Sequence, residues 1–270
     1  MLRAYQGKVA VITGAANGLG KALAKQLASL KCGLALVDVD VSALANTERE
    51  LAGSGVLVTS HVADVSSQPD LQRVAQEIRN AHGTVHLLIN NAGVSASASF
   101  TNTSAMDFER VMQVNFFGLV QSCRVFLPFL REHAEGQILN ISSCFAWVGY
   151  PRKTAYASSK AAIRAFSESL RCEIGRDGIS VTVLYPGPLL TSLVRSGVSD
   201  SEQKRRREEK FLYDRGLSPE HAARLSLRRM LANPCRIVIG LDYHVFDLIV
   251  RISPRLANYV MCVSSGRAGF

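Results

Sequence analysis

Tyr156 and Lys160 stand four positions apart in the stretch Thr154-Ala155-Tyr156-Ala157-Ser158-Ser159-Lys160. On a helix that interval stacks two side chains on one face, one turn over the other. The residues that follow, among them Ala161, Ala162, Ala165, Glu168 and Leu170, form helices well, and no Gly or Pro intervenes before Gly175. A free tyrosine loses its proton only near pH 10. A fixed ammonium beside the hydroxyl favours the phenolate and draws that value towards neutrality. Ser143 follows Gln137-Ile138-Leu139-Asn140-Ile141, a run with strand character, and its hydroxyl could hold the oxygen of an alcohol or ketone. Such a set moves a proton on and off a substrate oxygen, and it needs a hydride carrier to complete a reaction. Tyr-x-x-x-Lys alone is common by chance, so the carrier site decides its meaning.

A carrier site is present at the start of the chain. Lys8-Val9-Ala10-Val11-Ile12-Thr13 has the pattern of a buried parallel strand. Gly14-Ala15-Ala16-Asn17-Gly18-Leu19-Gly20 follows at once, and Lys21 to Ala28 reads as a helix. Strand, glycine-rich turn and helix N-terminus together cradle a phosphate through free backbone N–H groups and the helix dipole. The spacing G-x-x-x-G-x-G differs from both the commonest dinucleotide fingerprint and the P-loop, where Ala15 and Ala22 would be Gly and Ser/Thr. A second strand, Gly33 to Val37, ends at Asp38, near the offset where a carboxylate meets the adenosine ribose. With no Arg or Lys in the loop or after Asp38, the pattern favours NAD over NADP. The competing reading of Asp38 is a helix N-cap or a surface acid.

The ordered set Thr13-Gly14-x-x-x-Gly18-x-Gly20, Asp64-Val65, Asn90-Asn91-Ala92-Gly93, Asn115, Ser143, Tyr156-x-x-x-Lys160 and Pro186-Gly187 with Thr191 resembles the classical short-chain dehydrogenase/reductase family over roughly residues 7–240. Each motif is weak alone; their order is specific. The resemblance implies a catalytic tetrad of Asn115, Ser143, Tyr156 and Lys160. It places cofactor contacts on Gly14, Asn17, Gly18, Leu19, Gly20, Asp38, Asp64, Val65, Asn91, Ala92, Gly93, Tyr156, Lys160, Pro186, Gly187 and Thr191. Asp64 and Val65 would flank the adenine, Asn115 would bend its helix and hold a water in the proton path, and Thr191 would reach the carboxamide. Asp64 could instead cap the next helix, and Asn115 could be a satisfied core amide. Substrate would meet Ser143, Phe145, Tyr156 and Leu189. The implied reaction interconverts a secondary alcohol and a ketone with NAD, NADP being second choice. A non-catalytic dinucleotide-binding sensor or scaffold of the same fold is the alternative, and the intact tetrad argues against it.

The 270 residues alternate strand-like and helix-like runs without a linker or repeat, which predicts one doubly wound α/β domain with a mostly parallel sheet of about seven strands. Within it, residues 7–240 form the Rossmann-like core, 188–216 a charged helical lid and 241–270 a C-terminal extension. Expected strands include Val56 to Ser60, His86 to Ile89, Ile179 to Leu184 and Arg236 to Ile239. Two long helices, about 104–132 and 154–175, carry apolar residues beyond one core stripe (Phe116, Phe117, Val120, Phe126; Ala161, Ile163, Phe166). Together with these surfaces, the family resemblance implies pairing of the two helices across a two-fold axis into a homodimer or homotetramer.

Six scattered cysteines without metal-like spacing read as reduced thiols, and Met1 to Gly7 leaves no room for a signal peptide, so a cytoplasmic setting is expected. The six histidines form no metal motif, and no G-x-S-x-G elbow supports a hydrolase. Net charge is +9, of which residues 195–270 carry +6. No nucleic-acid motif accompanies that excess, so a solvated lid or peripheral membrane contact is preferred to nucleic acid. The loop after Ser143 and the segment after Pro186 are apolar, which points to a lipophilic substrate. Val245 to Ile252 and Leu256 to Val263 are too often interrupted by charge to span a bilayer and could lie on one, or pack over the active-site end.

Overall fold

Runs of Val, Ile and Leu too short for helices become seven parallel strands in the order β3-β2-β1-β4-β6-β7-β9. They are β1 (Val9–Thr13), β2 (Gly33–Asp38), β3 (Val58–Val62), β4 (Leu87–Asn90), β6 (Gln137–Ile141), β7 (Ser180–Pro186) and β9 (Arg236–Ile239). The computed structural model describes residues 2–133, 135–194 and 197–267. Ten helices connect the strands among these residues: α1 (Gly18–Ser29), α2 (Val41–Leu51), α3 (Gln68–His82), α4 (Ala105–Met112), α5 (Gly118–Arg131), α6 (Thr154–Ile174), α7 (Glu202–Arg215), α8 (Pro219–Met230), α9 (Leu241–Ile252) and α10 (Pro254–Arg267). Two short strands, β5 (Ala96–Ser97) and β8 (Val198–Ser199), pair apart from the main sheet.

Period-two alternation divides the core. Ala10, Ile12, Leu34, Leu36, Leu87 and Ile89 face α1, α2 and α8, while Val11, Ala35, Val37, Leu88 and Ile138 face α3, α5 and α6. Each fully buried Leu or Ile contributes about 1.5–3 kcal/mol. The strand order reverses between β1 and β4, so their carboxyl ends border the crevice in which open α/β sheets bind ligands. The glycine turn after β1 and Asn91 after β4 both open onto it.

Boundaries shift modestly from expectation. β3 begins at Val58 because its pairing with β2 starts at Leu34↔Val58. β4 begins at Leu87, and β7 continues through Pro186, which pairs with Ile239. The long helix expected over 104–132 divides at Gln113–Phe117 into a turn of wider, π-type winding. Phe126 and Ile163, expected on an outer face, lie in the core.

Candidate active site

The glycine turn is folded so tightly that side chains would not fit. Gly14 and Gly18 have φ of +65° and +52°, where L-residues are strained. A Cβ on Gly20 would come within 2.0 Å of the Gly14 carbonyl oxygen, and one on Gly14 within 2.8 Å of Ala92 Cα. Asn91 locks this contact by donating Nδ2–H to the carbonyls of Thr13 (3.1 Å) and Gly14 (2.8 Å). Thr13 Oγ1 accepts from the amides of Asn91 and Ala92. Asn17 precedes α1 without a side-chain capping bond, so no cap occupies the first-turn amides. The Asp38 carboxylate accepts from Ala16 N (2.9 Å) and Asp40 N (3.1 Å), which fixes it at the rim of the turn. Asp40, not Asp38, caps α2, and Ser67, not Asp64, caps α3. Asp64 accepts from Ser66, and Val65 packs so closely on Gly118 that a Cβ there would lie 2.8 Å from it.

The proton-transfer residues come from β6 and α6. Asn90 Nδ2 donates to Asn140 Oδ1 (2.8 Å) and Asn140 Nδ2 to Ser167 Oγ (2.9 Å), pinning β4, β6 and α6 together. Ser143, just past β6, accepts from Phe145 N at 3.3 Å. Tyr156 lies in the first turn of α6 with its ring edge-to-face against Phe145. Lys160 Nζ is 5.6 Å from the Tyr156 ring centre and donates to Ile141 O at 2.9 Å. Asn115 sits in the π-type turn, buried. Its Oδ1 accepts from Val94 N (2.7 Å), and its Nδ2 donates to Val94 O and Ser159 Oγ (both 3.0 Å). Its side-chain amide thereby clamps the backbone at Val94, directly after Gly93.

Burial changes the electrostatics from those the Tyr-Lys spacing suggests. Desolvation holds the Tyr156 hydroxyl above the ordinary phenol range, with Cys144 and Glu208 acting in the same direction and the Ser143 hydroxyl opposing. Desolvation also lowers Lys160 to about 8. Burial of both groups thus raises the phenol although the Lys160 ammonium lies near its ring. Burial pushes the adjacent Cys144 thiol up to about 11, so it is no thiolate nucleophile.

A cleft of about 950 Å³ joins cradle to proton-transfer groups. Gly14, Asn17, Gly18, Leu19, Asp38, Asp64, Val65, Asn91, Ala92, Gly93, Ser143, Phe145, Tyr156, Lys160, Pro186, Gly187, Leu189 and Thr191 all line it. Gly20 and Asn115 stand behind its wall. Thr191 meets the glycine turn: a Cβ on Gly18 would be 3.1 Å from its Cγ2. Four residues of α7 (Lys204, Glu208, Phe211, Leu212), Tyr243 of α9 and Met261 of α10 also line the cleft.

The sequence did not point to Lys153. It is buried, 5.9 Å from the Tyr156 ring centre on a helical spacing from Tyr156, and it pairs with Glu208 and bonds Ser97. Arg152 makes a second pair with Asp200. The i−3 interval from Tyr156 was a usable signal for Lys153; Glu208, far along the chain, offered none. Among the described residues no His/Cys/Asp/Glu cluster could hold a metal ion.

A sequence model of the short chain dehydrogenase family matches residues 8–202. The chain is 36% identical over 275 aligned residues to SadH of Mycobacterium tuberculosis, an oxidoreductase by name, with 100% of this chain and 98% of that protein covered. It is 31% identical to a protein of Acinetobacter baylyi named fatty acyl-CoA reductase, over 96% of this chain and 84% of the other. It also superposes with a TM-score of 0.85 on a short chain dehydrogenase/reductase from Burkholderia phymatum in complex with NAD, at 30% identity, covering 93% and 94% of the two chains. Motif order, sheet topology and these likenesses agree: the chain belongs to the short-chain dehydrogenase family.

Proposed function

We propose that the protein is an NAD-dependent oxidoreductase that interconverts a lipophilic secondary alcohol and its ketone. The observation that carries this reading is one cleft with a glycine cradle and a carboxylate at one end and Ser143, Tyr156 and Lys160 at the other. The cradle fits a dinucleotide: Gly14 and Gly18 line the cleft without side chains, the first-turn amides of α1 are left uncapped where they would hold a pyrophosphate, and Asp38 at the rim would accept from ribose hydroxyls and repel a 2′-phosphate. Asp64 and Val65 would flank the adenine, and Asn91 to Gly93 with Pro186, Gly187 and Thr191 would meet the nicotinamide half. A nicotinamide cofactor held there would supply the hydride chemistry.

In reduction the Tyr156 hydroxyl, which burial keeps protonated, gives its proton to the substrate oxygen, and in the oxidising direction Tyr156 acts as the phenolate and takes that proton back. Ser143 holds the same oxygen. Lys160 gives positive charge behind the phenol and a donor for a ribose hydroxyl, and Asn115 keeps the turn at Gly93 in place beside them. Fixed placement of these groups supplies most of the catalysis. Val94, Phe145, Leu189, Leu193, Phe211 and Met261 on the cleft wall favour an apolar substrate, as does the likeness to a protein named for acting on fatty acyl groups. A panel of secondary alcohols and ketones with NAD and NADP, followed by absorbance of the reduced cofactor, tests the reading. Hydrophobic alcohols should turn over best and with NAD; faster turnover of small polyols, or none with any compound, counts against it.

We infer in addition that the protein is a cytoplasmic homo-oligomer. All six cysteines are thiols, outside any disulfide. Phe116, Phe117 and Phe166 form an aromatic cluster on the α5–α6 side, where Phe117 is 45% exposed. That cluster suits pairing across a two-fold axis.

A further inference from the structure

The two helices that close the chain carry an apolar face that the sheet does not use. On α9, Val245, Leu248 and Ile252 follow at intervals of three and four residues and are 62%, 55% and 75% exposed. On α10, Leu256, Tyr259, Val260 and Val263 repeat that spacing, all exposed. Single exposed apolar residues are ordinary, but a stripe on each of two packed helices marks a contact surface. The inner sides of the same helices are engaged: Ala257 is fully buried, a Cβ on Gly187 would strike the Tyr243 ring at 2.7 Å, and Tyr243 and Met261 line the cleft. The pair therefore stands at the mouth of the cleft.

Charge narrows what covers this face. From Leu248 to Phe270 the chain has Arg251, Arg255 and Arg267 and no acid. Arg251 and Arg255 are exposed, while Asp247 is turned inward onto Arg236. A second copy docking through this face about a two-fold axis would set the patch against itself, so Arg251 and Arg255 near the axis would meet like charge, the exposed carboxylate of Asp242 lying at the other end of α9. An anionic bilayer surface offers acyl chains to the apolar stripes and phosphates to the guanidinium groups. Among the described residues no helix is long and apolar enough to cross a membrane, so the contact is peripheral.

We propose that α9 and α10 dock the protein on an anionic phospholipid surface with the mouth of the cleft beside the lipid. The inference does not depend on the catalytic reading, and its test does not use turnover. Co-sedimentation with phosphatidylcholine vesicles, with and without phosphatidylglycerol, is measured for the wild type, for Leu248→Glu/Ile252→Glu and for Arg251→Glu/Arg255→Glu. All four positions are exposed and outside the cleft, so folding should survive, which thermal unfolding checks. The wild type should bind the anionic vesicles and bind phosphatidylcholine alone at least ~10-fold more weakly, and each variant should lose at least ~10-fold on the anionic vesicles. Sedimentation velocity should give the same species for all three proteins. Absent wild-type binding, equal binding to both lipid compositions, or binding untouched by the two variants overturns the proposal. So does a change of oligomeric state in the apolar variant, which would make the face a subunit interface.

Discussion

Lys160 is a residue the fold tolerates at a cost. Burial lowers it from 10.5 to about 8, a penalty of about 3 kcal/mol at neutral pH. An unfolded chain holds that proton to about pH 10.4, so between about 8 and 10 the unfolded state binds more protons and stability rises with pH as the penalty fades. Lys160→Met should therefore stabilise the fold at pH 7 by about 2 kcal/mol after losing the hydrogen bond to Ile141 O, with the advantage shrinking towards pH 10. Urea unfolding at the two pH values measures it; a variant less stable at pH 7 contradicts the account. Asp38 allows a second prediction. Asp38→Ala should cut the ratio of kcat/KM for NAD over NADP by roughly tenfold or more, since a charge-assisted hydrogen bond and the repulsion of a 2′-phosphate are lost together. An unmoved ratio would show that Asp38 does not choose the cofactor. The spacing of Tyr156 and Lys160 was legible in the sequence. Its electrostatic sign was not, because desolvation depends on everything packed around the pair.

At the scale of elements, the family resemblance marked Asn115 as the place where its helix bends, and the chain does change its winding there. The sequence also marked residues 188–216 as a charged helical lid, but not what holds its helix down. The answer is two ion pairs reaching back to the loop before α6, Arg152–Asp200 and Lys153–Glu208. The partners lie some fifty residues apart, so no local pattern links them. The Lys153–Glu208 side chains are 8% and 15% exposed. Removing one partner of a pair this buried strands the other charge at a cost of about 3 kcal/mol, whereas replacing both is near neutral. Glu208→Ala should accordingly destabilise the protein by about that amount and loosen α7 to limited proteolysis. Adding Lys153→Met should restore most of the lost stability. Strictly additive losses in urea unfolding would mean the two groups are not coupled.

For the whole molecule, the single α/β layer structure and its seven parallel strands followed from the alternation of apolar runs and helices. The order of the motifs carried the resemblance that named both halves of the cleft, while their meeting at the carboxyl ends of the strands came only with the fold. The C-terminal helices were less legible. Their composition showed an excess of apolar residues, but which side packs on the cleft and which faces outward depends on contacts with Gly187 and the cleft mouth. The central claim is that this cleft performs oxidoreduction through the Tyr156 hydroxyl. The most direct measurement compares Tyr156→Phe with the wild type, using NAD and the best hydrophobic alcohol, by appearance of reduced cofactor, beside NADH binding by fluorescence. Turnover should fall at least ~10²-fold with binding unchanged, because only the proton-carrying oxygen is removed; turnover near the wild-type rate would contradict the account.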